Sequence, residues 1–197
     1  MTLKFIEKTH EYWLGDVRLP SVSEIINPLV DYSHIPPDVL ANKAALGIEF
    51  HKIIDLHFQG TLNLKTIDKR LQYPYEAFCL WQHESALGKG SKFFATEKRL
   101  YHKRLLFAGT PDYFDDNDIY DFKLRPYNPV TDPLQLAGYD LLINQEDNLR
   151  GDGRWVVSFD LKGKYKMHSV KASPADGMFR KMLEFNNLLE KWRKQCF

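Results

Sequence analysis

The sequence is poor in cysteine and has no long apolar stretch. Only two of its 197 residues are cysteine, Cys79 and Cys196. Two distant cysteines cannot build a zinc or iron–sulfur site from cysteine alone, so we expect two reduced thiols and no iron–sulfur cluster. No apolar run approaches the roughly 20 residues that a membrane-spanning helix requires. We therefore expect no membrane partner.

Several other signals are missing. The N-terminal segment lacks a basic start followed by an apolar stretch, so it does not resemble a secretory signal, and a cytoplasmic location is expected. The formal net charge is +1, so a nucleic-acid partner would require a local basic face. There is no internal repeat, no low-complexity tract and no GxxxxGK[ST] loop. Any helicase or ATPase activity would therefore belong to another protein.

The composition is that of a globular domain, with 44% apolar and 27% charged residues. A chain of this length suits one domain with a full hydrophobic core. We predict a single domain over residues 1–197 with a core at about residues 36–170. An N-terminal hairpin region, residues 1–35, and a C-terminal helix, residues 174–197, are predicted as additions to that core.

Hydrophobic periodicity predicts a mixed α/β fold in the order helix, helix, three strands, helix, two strands, helix. Before these elements, Ser21 or Ser23 is expected to cap a short helix. The first long helix is indicated by apolar residues that recur at roughly helical spacing, which are Leu40, Ala44, Ile48, Ile53, Ile54 and Phe58. The longer helices are predicted at residues 38–58, 73–86, from Asp132 onward, and 175–194.

The stretch "GTPDYFDDNDIYDFKL", residues 109–124, carries charged residues inside two predicted strands. Residues two apart in a strand share a face, so Asp121 and Lys123 point to one side while the residues between and beside them fill the core. Asp112 lies on the preceding predicted strand, and Glu97 on the strand before that. We therefore predict a sheet surface on which these four side chains lie together.

Three carboxylates this close would raise one another's pKa values unless a cation lay among them. Carboxylate oxygens suit Mg²⁺ or Mn²⁺, which would polarise a phosphoryl oxygen and lower the pKa of a bound water. Lys123 would then orient that water or balance charge in the transition state. The alternative is that each residue is a solvated edge residue or part of a surface salt bridge. The "DDND" segment at residues 115–118 is predicted to be a turn without chemistry.

The same residues resemble a known superfamily. "PD", eight residues, then "DFK" matches the pattern of the PD-(D/E)XK nucleases. "ALGIEFH", residues 45–51, resembles the glycine- and histidine-bearing helix of RecB-like members, and "QLAGY", residues 135–139, resembles their Q-x-x-x-Y motif. The opening "HEYWLGDVRLPSVSEII" is similar to the start of phage-type exonucleases. The resemblance covers roughly residues 10–140 in the order of the family.

The resemblance implies a restriction-endonuclease-like core, with a central mixed β-sheet flanked by helices. It implies that His51, Asp112 and Asp121 ligate Mg²⁺ or Mn²⁺, together with the backbone carbonyl of Phe122. It also implies that Lys123 activates the water or stabilises the transition state. From the residues alone, a lone helical histidine such as His51 is more often structural than a metal ligand.

The resemblance gives further residues a role near the metal. Glu97 would be a metal-binding or water-positioning acid. Gln135 and Tyr139, one helical turn apart, would brace the site or contact DNA. Gly47 leaves room for DNA or another backbone, although it could equally be a packing glycine.

A local density of basic residues lies near Glu97 in the sequence. Such a group beside an acidic site would bind a phosphate backbone, although a solvated face of lysines has the same pattern. Lys89, Lys92 and Arg99 are the predicted DNA-binding residues. The full group is Lys89, Lys92, Lys98, Arg99, Lys103 and Arg104.

These observations together predict a Mg²⁺- or Mn²⁺-dependent deoxyribonuclease. An exonuclease acting on single- or double-stranded DNA ends, in phage or cellular recombination or repair, is preferred. The alternatives are a catalytically inactive DNA-binding or assembly protein on a nuclease fold, and a structure-selective endonuclease. Besides DNA, a recombinase or a single-strand-binding protein is a candidate partner.

Overall fold

The computed structural model describes residues 2–85, 94–146 and 153–196. The chain opens with a three-stranded antiparallel sheet in the order β1-β2-β3. One hairpin that breaks at "LGD" was predicted here, and Gly15, which has a φ of 62°, turns the chain at that point. The prediction was incomplete, because a further turn at residues 7–10, where His10 has a φ of 55°, adds a third strand. The strands are β1 (Leu3–Ile6), β2 (Glu11–Leu14) and β3 (Val17–Leu19).

The short helix α1 (Val22–Ile26) follows this sheet and is capped by Ser21. The Ser21 hydroxyl accepts a hydrogen bond from the Glu24 N–H, and the Glu24 carboxylate accepts one from the Ser21 N–H. This reciprocal pair is a capping box, so of the two predicted serines Ser21 is the cap.

The four longer helices lie close to their predicted positions. They are α2 (Pro37–Phe58), α3 (Gln72–Glu84), α4 (Thr131–Ile143) and α5 (Ala172–Cys196). Of the apolar residues that recur at helical spacing in α2, Ala44 is exposed and Ile48 is 72% exposed. The buried residues of α2, Phe50, Ile53 and Ile54, all lie in its second half. From the first half, Leu46 is partly buried and packs against the same core cluster.

The central sheet has five strands in the order β10-β9-β8-β7-β4. Strands β8 and β9 are parallel and the other pairs are antiparallel, so the sheet is mixed. A two-stranded ribbon, β5 (Leu100–Tyr101) with β6 (Ala108–Gly109), lies outside it. The central strands are β4 (Phe94–Thr96), β7 (Tyr113–Asp115), β8 (Asp118–Lys123), β9 (Gly153–Phe159) and β10 (Tyr165–Ser169).

The three long strands predicted before residue 125 are five short ones. Glu97 has a φ of 44° and Leu106 a φ of 53°, and both conformations turn the chain out of a strand. Pro111 cannot donate a ladder hydrogen bond. As a result, Glu97 lies just after β4 and Asp112 just before β7, rather than inside the strands where they were predicted.

Helices cover both faces of the central sheet, which confirms the mixed α/β fold class. One face, which includes Phe114 and Val156, packs against α1, α4 and α5. The other face, which includes Tyr120 and Phe122, packs against α2 and α3. In the described ranges, no helix combines the length and apolar character needed to cross a bilayer.

Helix α4 packs closely against its neighbours at Gly138. A Cβ atom there would lie 2.8 Å from side-chain atoms of both Phe179 and Val22. The glycine therefore lets α4 approach α1 and α5 at a distance that a larger residue would prevent. This packing holds α4 in place next to the charged end of β8.

Candidate active site

The two aspartates of the candidate site meet where β7 begins and β8 ends. Tyr113 is opposite Tyr120 in this antiparallel pair, so Asp112 and Asp121 continue the pairing at the same end. The backbone N–H of Phe122 donates a 2.6 Å hydrogen bond to Asp112 Oδ2. The Asp112 side chain is thereby attached to the end of β8, although its residue lies outside the strand ladder.

Glu97 is tied to the same place through its backbone. Its N–H donates a 3.2 Å hydrogen bond to the backbone carbonyl of Asp112. The left-handed conformation of Glu97 directs the chain away from β4 at this point. The end of β4 thus brings a second carboxylate next to Asp112.

His51 joins the two carboxylates from α2. Its Nδ1 lies 3.2 Å from Asp112 Oδ1 and 3.6 Å from Glu97 Oε1. One ligand atom from each of the three residues falls within 4.8 Å of the others. Phe50 and Ile53 pack in the same core cluster as Phe122, which holds α2 over this end of the sheet. The structure therefore brings together an imidazole and two carboxylates that are far apart in sequence.

The charges in this group perturb one another. Burial disfavours the imidazolium, but Asp112 and Glu97 outweigh it and raise the pKa of His51 to about 10. Burial raises the pKa of Asp112, yet His51 and Lys123 more than compensate and lower it. For Glu97 burial prevails over the His51 contact, and its pKa is raised. Without a metal, protonated His51 is the cation that the carboxylates surround.

Asp121 and Lys123 form a second, buried pair. Asp121 is fully buried, and Lys123 Nζ lies 2.9 Å from its Oδ1 and 2.8 Å from its Oδ2. Only the Oδ1 contact has hydrogen-bond geometry, so Oδ2 has no hydrogen-bond donor among the described residues. Burial raises the pKa of Asp121 to about 7 against the opposing effect of Lys123. As predicted from the period of a strand, both side chains lie on the same face.

The donor set fits a divalent cation. Asp112 Oδ1, Glu97 Oε1 and His51 Nδ1 converge, and a buried oxygen of Asp121 lacks a donor. That oxygen already contacts the Lys123 ammonium at 2.8 Å, so the case for a metal rests on the three convergent ligand atoms. Asp121 does not belong to the convergent group of three, but the charge of Asp112 contributes to its raised pKa. Asp112 therefore lies between the two halves of the site.

The Phe122 carbonyl was predicted as a further metal ligand. The N–H and C=O of one strand residue leave the strand on the same side. Since the Phe122 N–H is bonded to Asp112, its carbonyl also faces the side of β8 where Asp112 lies. This orientation is compatible with the predicted role.

Gln135 and Tyr139 lie on α4 and contact each other. Gln135 Nε2 donates a 2.9 Å hydrogen bond to the Tyr139 hydroxyl. Tyr139 is 5% exposed, and its pKa is raised well above the usual value, first by burial and then by the charges of Asp112 and Asp121. Of the two predicted roles, the burial of Tyr139 favours bracing over contact with DNA.

Two supporting contacts were missed from the sequence. The hydroxyl groups of Tyr12, from β2, and Thr110 are 2.7 Å apart, and the charge of Glu97 adds to the burial that raises the pKa of Tyr12. The Thr96 hydroxyl donates a 3.0 Å hydrogen bond to Asp55, one turn after His51 on α2. Thr110 immediately precedes the "PD" pair, which is the one local signal that could have drawn attention to it.

The predicted basic group is only partly described. Lys89 and Lys92 lie outside the described residues. Arg99 is anchored to the N-terminal sheet: its guanidinium lies 4.6 Å from the Phe5 ring centroid, and its Nη2 lies 3.3 Å from Glu7 Oε1. Its side chain remains 48% exposed, which leaves it accessible to a phosphate.

The acidic "DDND" segment is the predicted turn between β7 and β8. Asp115 Oδ1 accepts hydrogen bonds from the backbone N–H groups of Asn117 and Asp118. This carboxylate therefore closes the turn, and it is not part of the convergent group around His51.

Comparison with known proteins gives a weak structural likeness. No family model matches the chain, and no curated protein matches it. Among solved structures, it is similar to an alkaline exonuclease from Laribacter hongkongensis, with 13% sequence identity and a TM-score of 0.38. The likeness covers 90% of this chain and 94% of the exonuclease. It is too weak to assign a family, so the function is inferred from the site itself.

Proposed function

We propose that the protein is a divalent-metal-dependent DNA nuclease of the PD-(D/E)XK type. The convergence of His51, Glu97 and Asp112 beside the buried Asp121–Lys123 pair is the observation that carries the proposal. One end of the sheet thus offers a cluster of carboxylates and an imidazole next to a fixed ammonium group. Hydrolysis of a phosphodiester needs both, since negative charge must be neutralised on the phosphate and a water must be activated.

The metal-binding groups in this proposal are the carboxylates of Asp112, Asp121 and Glu97, the imidazole of His51 and the carbonyl of Phe122. A divalent ion there supplies polarisation of a phosphoryl oxygen and a lowered pKa of a bound water. His51 must release its proton to become a ligand, so metal binding is accompanied by proton release. Both Mg²⁺ and Mn²⁺ suit carboxylate oxygens, whereas the imidazole suits Mn²⁺ better.

Lys123 acts on the phosphate in this proposal. Burial disfavours its ammonium, but Asp121 and Asp112 outweigh that effect and raise its pKa, so the group is charged at neutral pH. Asp121 holds Nζ in one position, which means that little reorganisation is needed when negative charge develops on the phosphate. Gln135 holds the Tyr139 hydroxyl group, whose pKa is raised by burial and by the charges of Asp112 and Asp121.

We further infer that the substrate is DNA and that cleavage begins at ends, on the basis of the motif resemblance. A cytoplasmic location and a recombinase or single-strand-binding partner belong to the same proposal. Incubation of the purified protein with end-labelled linear DNA and covalently closed circular DNA, each with Mg²⁺, Mn²⁺ or chelator, tests it. We expect metal-dependent degradation of the linear DNA alone. Cleavage of circles would indicate an endonuclease, and DNA binding without cleavage in any metal would indicate an inactive DNA-binding protein.

A further inference from the structure

A cleft of about 480 Å³ is lined in part by Arg125, which follows Lys123 of the candidate active site by two residues. Its walls are the loop that precedes α2, which contributes Tyr32 and His34, and the loop that follows β8, which contributes Arg125, Tyr127 and Asn128. This volume falls in the range of about 300–1,000 Å³ that is typical of small-ligand pockets. The cleft is thus large enough for one nucleotide.

Arg125 is held in the cleft by a buried carboxylate. Asp132, which is fully buried, accepts from Nη2 and, at 3.1 Å, from Nη1 of Arg125. Arg125 Nη1 also donates to the Pro126 carbonyl at 2.9 Å. These contacts are made by the Nη1 and Nη2 end of the guanidinium group. Its other edge, formed by Nε–H and the second N–H of Nη2, has no partner in the described part of the chain.

That edge has the geometry of a phosphate-binding fork. Two parallel N–H groups of a guanidinium bind two phosphate oxygens together. Burial lowers the pKa of Arg125, but Asp132 and Asp121 raise it more, so the group is charged. The Arg125 side chain is 43% exposed, and it is therefore accessible from the cleft.

The aromatic residues of the cleft are suited to a base. Tyr127 is half-buried, and its ring stacks on His168 with centroids 4.4 Å apart and an interplanar angle of 12°. This contact holds the tyrosine ring in a defined orientation. Tyr32 is 49% exposed on the opposite loop. Aromatic side chains of this kind stack on unpaired bases without reading their sequence.

The cleft adjoins the reactive end of β8. Arg125 follows Lys123 by two residues, which limits the distance between their Cα atoms to about 7 Å. A strand that places one phosphate against Lys123 can therefore place a neighbouring phosphate against Arg125. The short segment between Lys123 and Arg125 thus limits the distance between the two phosphate positions.

We propose that this cleft binds one nucleotide of a single DNA strand next to the bond at the active site. Arg125 holds the phosphate of that nucleotide through its Nε–Nη2 edge, and Tyr127 and Tyr32 contact the base. The proposal rests on the proposed nuclease function and adds its substrate class: a strand whose bases are unpaired at the site. Asp132 acts through Arg125 and is a positioning residue.

The test is binding of a fluorescent oligothymidylate by anisotropy, in chelator, so that neither metal nor cleavage contributes. Arg125→Lys retains a charge for Asp132 but removes the fork, and Tyr127→Leu removes the ring. Arg70→Lys is the matched control, because Arg70 also pairs with an aspartate, Asp68, on an exposed turn. Tyr73→Leu, at a tyrosine that is 60% exposed, is the control for ring removal.

We expect each cleft variant to weaken binding by about tenfold or more, as is usual for the loss of one stacking contact or one phosphate fork, while both controls bind like the wild type. Arg125→Gln should also lower the slope of log K against log salt by about 0.7. Wild-type affinity in both Arg125→Lys and Tyr127→Leu would overturn the proposal. A thermal melt of each variant checks folding. If Arg125→Lys is unfolded, Tyr127→Leu decides alone.

Two arms of the experiment separate related outcomes. Oligonucleotides with and without a terminal phosphate distinguish a terminal from an internal phosphate at Arg125. A wild type that binds through the cleft but never cleaves would refute the nuclease function and leave the cleft proposal intact. A wild type that cleaves, with both cleft variants binding and cleaving normally, would refute the cleft alone.

Discussion

The backbone N–H of Phe122 donates a 2.6 Å hydrogen bond to Asp112 Oδ2 and thereby fixes the central carboxylate of the site. The other oxygen, Oδ1, is left to face His51 at 3.2 Å. Because Phe122 lies between Asp121 and Lys123, this one bond connects both halves of the site to β8. Asp112 is the residue that the two halves share.

Divalent metal should stabilise the protein through Asp112. A ligand at about 100 times its Kd adds roughly 2.7 kcal/mol to the free energy of unfolding. We expect Mn²⁺ to raise the melting temperature of the wild type and to have little effect on Asp112→Asn. Asp115→Asn is the control, because Asp115 is also buried but closes the β7–β8 turn. Equal metal shifts in the wild type and Asp112→Asn would contradict the site assignment.

Removal of the Lys123 charge should harm stability as well as activity. Asp121 is fully buried, so Lys123→Met leaves a buried carboxylate without its cation, a change that typically costs about 3–5 kcal/mol. The double variant Asp121→Asn/Lys123→Met should recover most of the stability but no cleavage activity. Urea unfolding of the four proteins in the cycle measures this coupling. Additive effects on stability would show that the pair is not coupled.

Replacement of Gly47 by alanine should raise the stability of the protein while it weakens DNA binding. A Cβ at this position of α2 would meet nothing within 4 Å, so the glycine is not required for packing within the described protein. Gly47→Ala should stabilise the helix by about 0.5–1 kcal/mol, yet weaken DNA binding because Gly47 lies one turn before His51. Gly177→Ala in α5, where a Cβ is equally unobstructed, should give the same stabilisation with unchanged DNA binding. If both variants bind DNA like the wild type, the strand does not approach α2 at Gly47.

The metal-free protein should lose stability as the pH rises from about 6.5 to 10. The pKa of His51 is raised to about 10 from a usual value near 6.5, so the folded state binds a proton that the unfolded state has released. The stabilisation is complete below pH 6.5 and is lost as the pH rises through the folded pKa. Urea unfolding in chelator at several pH values should show this loss in the wild type. It should be smaller in His51→Gln, and an identical pH dependence in both proteins would contradict the assignment.

Periodicity was sufficient to predict much of the fold and the placement of two residues of the candidate site. The period of two in β8 correctly placed Asp121 and Lys123 on one face, and turn composition correctly predicted the Asp115 turn. The prolines at the start of α2 and the glycine after its end predicted the bounds of this helix closely. These features depend on residues that are neighbours in the sequence, so the sequence pattern contains them directly.

The remaining features depend on contacts between distant residues. Glu97 and Asp112 lie outside the strands because of a left-handed residue and a proline, and a backbone hydrogen bond brings them together. The contact between Tyr12 and Thr110 joins positions 98 residues apart, and periodicity contains no information about it. Ile48 is exposed although it lies at helical spacing, because this spacing does not show where the core ends.

The most direct test of the central claim is the rate of cleavage of end-labelled linear DNA under single-turnover conditions in Mn²⁺. The proteins to compare are the wild type, Asp112→Asn, Lys123→Gln and the control Asp115→Asn. We expect metal-dependent cleavage by the wild type and Asp115→Asn, abolished by chelator and reduced at least about 100-fold in the two site variants. Cleavage at the wild-type rate by Asp112→Asn or Lys123→Gln would place the chemistry elsewhere in the protein and contradict the account.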